Sequence, residues 1–327
     1  MLPTSLRVLR LAACLLLTLL LASCGLKPAS SPVPAAEPGS IQPIAGAQGQ
    51  KITVGSKNFT EQLILGKIAV LTADVAGFDV VDMTNIPGSQ PARKVLAQGE
   101  VDLEWEYTGT AWLVYLGQSQ SIADPAAMWQ AVSAADQKNG LTWGAPSKLN
   151  NTYAFAVRSD YAKERGISKL SDLADLPVQE RTLCIEAEFN SRADGLNGML
   201  QTYGLQRGSS QGVPDSQISI MDTGTVYSAT AQGSCNFGEV FTTDGRIKAL
   251  DLTVLEDDLS YFPAYSAAPV FVSKTLERYP QLQEIFDQVA QRLDDTTMRD
   301  LNYKVDVQGQ DPAQVAYDWM IEQGLIR

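Results

Sequence analysis

The sequence predicts an α/β protein of two domains. Strand-like and helix-like runs alternate from Lys51 to Trp105 in the order βαβαβ. A second alternation restarts at Tyr153 and runs to the end of the chain. The stretch from residue 51 to residue 327 is long enough for two domains of ordinary size.

From the N-terminus, Arg7 and Arg10 precede an apolar run from Leu11 to Leu21. This is shorter than the roughly 20 apolar residues a spanning helix needs, so residues 1–23 read as a signal peptide. The run ends Leu21-Ala22-Ser23-Cys24, which resembles a bacterial lipoprotein box with Cys24 as the lipidated first residue. The mature chain is then expected outside the cytoplasm, held to the membrane by acyl chains. Residues 24–50, rich in Pro, Ala, Ser, Gly and Gln, read as a flexible tether.

In the body, Lys51 to Gly55 reads as a strand. Asn58-Phe59-Thr60-Glu61 has the pattern of a capping box, with Asn58 as cap and Glu61 reaching back. Ile64, Ile68, Leu71 and Val75 then mark one face of a helix. Phe78 to Met83 is a strand, Pro91 to Gln98 a helix closed by Gly99, and Val101 to Trp105 a third strand. A parallel sheet with right-handed crossovers follows from this order. Further strands are read at Tyr153–Val157, Thr182–Ala187, Ile218–Met221, Phe237–Phe241 and Ala268–Val272. A helix capped by Asn190 is expected to reach about Tyr203, and two helices to follow Val272. The last is capped by Asp311, with Pro312 at its first position and Gly324 past its end.

The formal charge is −12, and losing Arg7 and Arg10 with the signal takes it to −14. So acidic a body argues against nucleic-acid binding. There is no histidine, which removes Ser-His-Asp and Cys-His catalysis, His-ligated zinc and a histidine pH switch. Binding that is flat between about pH 5.5 and 8 follows from that absence together with the reference values of Tyr, Lys and Arg, near or above roughly 10. Of four cysteines, Cys14 leaves with the signal and Cys24 is lipidated. Cys184 and Cys235 remain as a candidate disulfide, since the exported compartment permits one; two buried thiols are the alternative. No spacing suggests a metal site or cofactor, and Glu256-Asp257-Asp258 lacks a calcium-loop pattern and reads as a solvated hinge loop.

Ligands of such folds bind outside the carboxyl ends of the strands. There the chain holds Gly55-Ser56-Lys57, Glu106-Tyr107-Thr108-Gly109-Thr110 and Asn190-Ser191-Arg192. The runs Gly55 to Gln62, Gly99 to Thr110, Thr242-Thr243-Asp244-Gly245-Arg246-Ile247 and Phe262-Pro263-Ala264-Tyr265 resemble the substrate-binding lipoproteins of ABC importers for glycine betaine, choline and carnitine. The resemblance covers residues 51–327 and implies a type II periplasmic-binding-protein (venus-flytrap) fold with two interdomain crossovers. Domain one would be 51–150 plus 267–327, and domain two 151–266. It implies a non-enzymatic, monomeric receptor without cofactor that delivers a small quaternary ammonium to a permease and ATPase.

The residue types suit such a ligand. A trimethylammonium group has no N–H to donate, while aromatic faces attract it at about 0.5–2 kcal/mol each. The resemblance places a cage at Tyr107, Tyr153 and Tyr265, with Phe241 where the family has a fourth tyrosine. It places a carboxylate clamp at Lys57, Thr110 and Arg192, where the guanidinium supplies a planar fork. Trp105 and Trp112 read as packing. Three rivals stand beside this reading. The same fold could bind a polar amino acid, or serve a sensory receptor without a permease. An exported hydrolase could use Glu104 and Glu106, which share a face of one strand.

Overall fold

The computed structural model describes residues 31–327. The signal peptide, Cys14 and the candidate lipidation site Cys24 lie outside the described residues. Among those residues, no helix is long and apolar enough to cross a membrane.

Among the described residues, ten strands form two five-stranded sheets. In the first sheet lie β1 (Lys51–Lys57), β2 (Asp79–Ile86), β3 (Leu103–Tyr107), β4 (Leu141–Trp143) and β10 (Ala267–Val272). The second holds β5 (Tyr153–Arg158), β6 (Leu183–Glu186), β7 (Ile218–Met221), β8 (Phe237–Phe241) and β9 (Leu252–Val254). The strand orders are β2-β1-β3-β10-β4 and β7-β6-β8-β5-β9. Both follow one plan: three parallel strands, then one antiparallel strand (β10 or β5), then a short edge strand (β4 or β9) that runs antiparallel to it and so parallel to the first three. The chain crosses between sheets twice, after β4 and after β9. The short strands β4 and β9, three residues each, escape the sequence reading because so few positions show no periodicity.

The principal helices are α1 (Thr60–Val75), α2 (Ser89–Ala97), α3 (Pro125–Asp136), α4 (Ser159–Arg165), α5 (Ala187–Ser191), α6 (Leu196–Thr202), α7 (Thr223–Ala231), α8 (Ser273–Arg278), α9 (Gln281–Ala290), α10 (Asp295–Asp306) and α11 (Pro312–Glu322). Four of them follow β10, where two were expected. The cap of α11 is as read: Asp311 accepts from Ala313 N, and Gly324 has a left-handed φ of 66°.

Two local expectations fail for one reason each. Asn58 does not cap α1; the N-cap is Phe59, and Asn58 Oδ1 accepts from Gly88 N at 3.3 Å. Glu61 turns inward instead of reaching back, because buried donors claim its carboxylate. Asn190 lies within α5, whose cap is Glu186, accepting from Glu188 N and Phe189 N. Gly195 then opens a separate helix, α6.

The tether expectation is corrected for residues 31–50. Glu37 N and Arg327 O pair at 2.8 Å, Ile41 N reaches Leu325 O at 3.1 Å and Ile44 N reaches Ala76 O at 2.8 Å. Ile41 and Ala47 are fully buried and Ile44 nearly so. Apolar residues three apart give this segment one edge that its Pro-rich composition conceals. Helix α1 is accordingly buried nearly all round rather than on one face. Even Lys67 is enclosed, with Nζ 2.5 Å from Asp82 Oδ2 and 2.7 Å from Ser31 O.

Cys184 and Cys235 are bonded, with Cα atoms 5.7 Å apart, and join β6 to the turn before β8. Trp105 is fully buried against Phe286, and Trp112 donates to Gln120 O. The Glu256–Asp258 loop is tied down rather than merely solvated. Asp257 accepts from Tyr261 N and Phe262 N, and Asp258 holds the Ser171 hydroxyl.

Candidate functional site

A cleft of about 360 Å³ opens where the carboxyl ends of the parallel strands of both sheets face each other. That is near the lower end of the about 300–1,000 Å³ usual for small-molecule sites. Lys57 ends β1, Tyr107 ends β3, Glu186 ends β6 and Phe241 ends β8. Tyr153 opens β5 directly opposite Phe241 in the antiparallel register. Tyr265 arrives on the second crossing. All seven sequence-predicted ligand residues, Lys57, Tyr107, Thr110, Tyr153, Arg192, Phe241 and Tyr265, line this one cleft.

The rings form a continuous wall across both sheets. Tyr153 meets Phe241 at 5.2 Å between centroids and stands edge-on to Tyr265 at 5.7 Å. The sequence reading missed Phe59, which lies between Tyr107 at 6.1 Å and Phe241 at 5.3 Å, roughly parallel to both. Its position in the Asn-Phe-Thr-Glu run, read only as a cap, hid it. Two glycines let the backbone come this close. A Cβ on Gly109 would lie 2.7 Å from the Tyr265 ring, so the Tyr-Thr-Gly-Thr run needs glycine for that ring to rest on it. A Cβ on Gly245 would lie 2.5 Å from Tyr303 Cα, so the glycine of Thr-Asp-Gly-Arg admits α10.

The cations are already paired. Lys57 Nζ is 2.5 Å from Glu106 Oε1 and 4.9 Å from the Tyr107 centroid. Arg192 lies 5.2 Å from the Tyr153 centroid. Its Nε and Nη2 clamp Asp194 at 2.7 and 2.6 Å, Nη1 meets Glu188 at 3.1 Å and Nη2 reaches Thr110 Oγ1 at 3.2 Å. The last bond joins the two sheets' regions across the cleft. Arg192 is not at a helix start but ends α5. A guanidinium has five N–H groups, so these four bonds leave one for a ligand.

Several carboxyls in and around the cleft titrate high. Burial raises Glu61, Glu186 and Glu239 above the usual carboxylate range. Burial, with repulsion from Asp244, lifts Asp306 to about 6. Burial, with repulsion from Glu106, lifts Glu104 to about 8. The expectation of pH-flat binding, drawn from the missing histidine and the high reference values of Tyr, Lys and Arg, took no account of these carboxyls, of which Glu186 lines the cleft. Neither Glu104 nor Glu106 lines the cleft: Glu106 serves Lys57 and Tyr115, and Glu104 is fully enclosed. The pair is therefore not presented to a substrate, and the hydrolase reading loses its motive.

Known proteins are similar to this chain. Residues 50–322 match the family model described as the substrate-binding domain of the ABC-type glycine betaine transport system. The chain is 38% identical to a glycine-betaine-binding protein of Pseudomonas aeruginosa, over 86% of this chain and 90% of that one. It is 31% identical to the glycine betaine-binding protein YehZ of Escherichia coli, covering 84% of this chain and 90% of that one. The solved structure of apo YehZ superposes with a TM-score of 0.62 over 84% of this chain and 99% of that one. The chain is also 31% identical to the ergothioneine transport permease/binding protein EgtU of Helicobacter pylori over 84% of its own length, but spans only 48% of that protein. The two-sheet, two-crossover fold and the match along nearly the whole body place this chain in the substrate-binding family of ABC-type glycine betaine importers.

Proposed function

We propose that the cleft captures glycine betaine or a related quaternary ammonium such as choline, carnitine or proline betaine. The observation that carries this is the five-ring wall of Phe59, Tyr107, Tyr153, Phe241 and Tyr265 on one cavity that also presents Lys57, Thr110 and Arg192. The rings would take the methylated nitrogen through their quadrupoles. The spare Arg192 N–H, Thr110 and Lys57 would meet a carboxylate. Phe241 keeps the ring face that a tyrosine would offer there. Domain closure would couple to binding because wall residues come from both sheets. The receptor would act as a monomer, anchored through lipidated Cys24, and hand its ligand to an ABC permease driven by an ATPase.

The test is a thermal-shift panel on residues 31–327 with glycine betaine, choline, carnitine, proline betaine, ergothioneine and polar amino acids. A ligand that binds only the folded chain adds about 2.7 kcal/mol at a hundredfold excess over its Kd. A marked rise in Tm with at least one quaternary amine is expected. A rise with amino acids alone would establish the rival solute class, and no rise with any quaternary amine at millimolar levels would end the present reading.

A further inference from the structure

Behind Tyr107, on α1, lies Glu61, whose side chain is out of the cleft and 2% exposed. Its carboxylate has no lysine or arginine ion-pair partner among the described residues. Four neutral groups donate to it. Oε1 accepts from the Tyr107 hydroxyl at 2.7 Å and Asn151 Nδ2 at 3.0 Å. Oε2 accepts from the Thr243 hydroxyl at 2.6 Å and Asn302 Nδ2 at 3.3 Å. Asn302 Nδ2 also donates to Thr243 O at 3.0 Å, which fixes the amide with its N–H groups toward the carboxylate. Both oxygens thus carry two donors each, a set that fits the ionised form and works against the upward pull that burial exerts on this carboxyl. The ring in front of it differs from Tyr265, whose hydroxyl donates to Asp194 at 2.6 Å, because Arg192 already neutralises Asp194.

We propose that Glu61 is the counter-charge of the cage, acting on a bound cation through Tyr107. The proposal rests on the quaternary-ammonium reading above. A hydroxyl that donates to a carboxylate pushes electron density into its ring and strengthens the ring's negative face. The uncompensated charge adds its own field, which buried surroundings screen weakly. A carboxylate inside the cleft would have to shed its water to meet the ligand; Glu61 is desolvated once, on folding, and its donors hold it there. This makes Glu61 a positioning and specificity residue that favours a cation over an uncharged ligand of the same shape.

The experiment compares each cation with its carbon isostere: glycine betaine with 3,3-dimethylbutanoate, and choline with 3,3-dimethylbutanol. Calorimetry on residues 31–327 gives the affinity ratio for each pair. In Glu61→Gln the cation-to-isostere ratio should fall about five- to tenfold, because the isostere loses only what looser packing costs. Tyr107→Phe, which breaks the link and leaves Glu61 in place, should lower the ratio in the same direction and serves if Glu61→Gln does not fold. Equal losses for cation and isostere in these variants would make Glu61 a mere interdomain staple and overturn the proposal. Failure of the wild-type chain to bind either cation would instead strike the ligand reading on which it stands.

Discussion

Arg192 combines recognition with support, and the two can be separated. Arg192 as a residue is 8% exposed, and Asp194, 5% exposed, depends on it and on the Tyr265 hydroxyl. The sequence suggests a residue waiting for a ligand carboxylate, so that its loss would weaken betaine and spare choline. The ion pair alters that expectation. Arg192→Ala leaves Asp194 buried without its cation, and breaking a buried pair by removing one partner costs about 3–5 kcal/mol. Betaine and choline affinities should therefore fall together, along with Tm. Adding Asp194→Ala should restore most of the Tm while betaine binding stays weak. Calorimetry and melting curves on both variants check this. A betaine-selective loss at unchanged Tm in the single variant would show that Asp194 does not need Arg192.

At the scale of one element, β3 places Glu104 and Glu106 on the same face, and their fates diverge. Glu106 takes Lys57 and Tyr115 as partners, while both Glu104 oxygens are buried without a hydrogen-bond partner. Burial and the neighbouring Glu106 lift Glu104 to about 8. A carboxyl raised in the folded state binds its proton more tightly than in the unfolded chain. Its contribution is then full below the unfolded value near 4.5 and is lost as pH rises toward about 8. Glu104→Gln mimics the protonated form, so the variant should gain stability relative to wild type between pH 5 and 8. A tenfold difference in proton affinity corresponds to about 1.4 kcal/mol, so the gain should reach a few kcal/mol at most. Denaturant melts at the two pH values measure the difference; a constant offset would show that Glu104 does not titrate there. This strand also shows what was legible. Its existence, its parallel direction and the position of Tyr107 at its carboxyl end follow from the alternating run and the Tyr-Thr-Gly-Thr motif, while its place beside β1 comes from the structure. That one glutamate would be paired and the other stranded depends on Lys57 and Tyr115 arriving from other elements. Phe59 and Glu61 were mistaken for the same reason: a local capping pattern lost to long-range partners at Phe241, Thr243 and Asn302.

For the whole molecule, the two sheets meet through polar contacts that close behind the cleft. Glu61 accepts from Thr243, and Arg246, clamped on Asp244, lies 3.5 Å from Asp306 on α10. The first sheet's region is secured differently, by the segment of residues 31–50. That segment pairs with the chain's last residues, Pro38 bridging to Ile326, and seals the end of α1 with Ile41, Ile44 and Ala47. Composition alone would let it be cut away as a linker. Burying an isoleucine contributes about 1.5–3 kcal/mol, and a domain's net stability is only about 5–15 kcal/mol. A chain beginning at Lys51 should therefore melt well below one beginning at Ser31, by more than about 5 °C at roughly 2–4 °C per kcal/mol. Removing the segment also exposes Leu325, Ile326 and the end of α1, so the shorter chain should be the more prone to associate. No residue of 31–50 lines the cleft, and ligand affinity measured well below either melting point should be equal for the two chains. Scanning calorimetry with and without ligand checks both halves. Equal melting temperatures would return the segment to the role of a spacer, and a loss of affinity without a loss of stability would mean that it steers the cleft rather than the core.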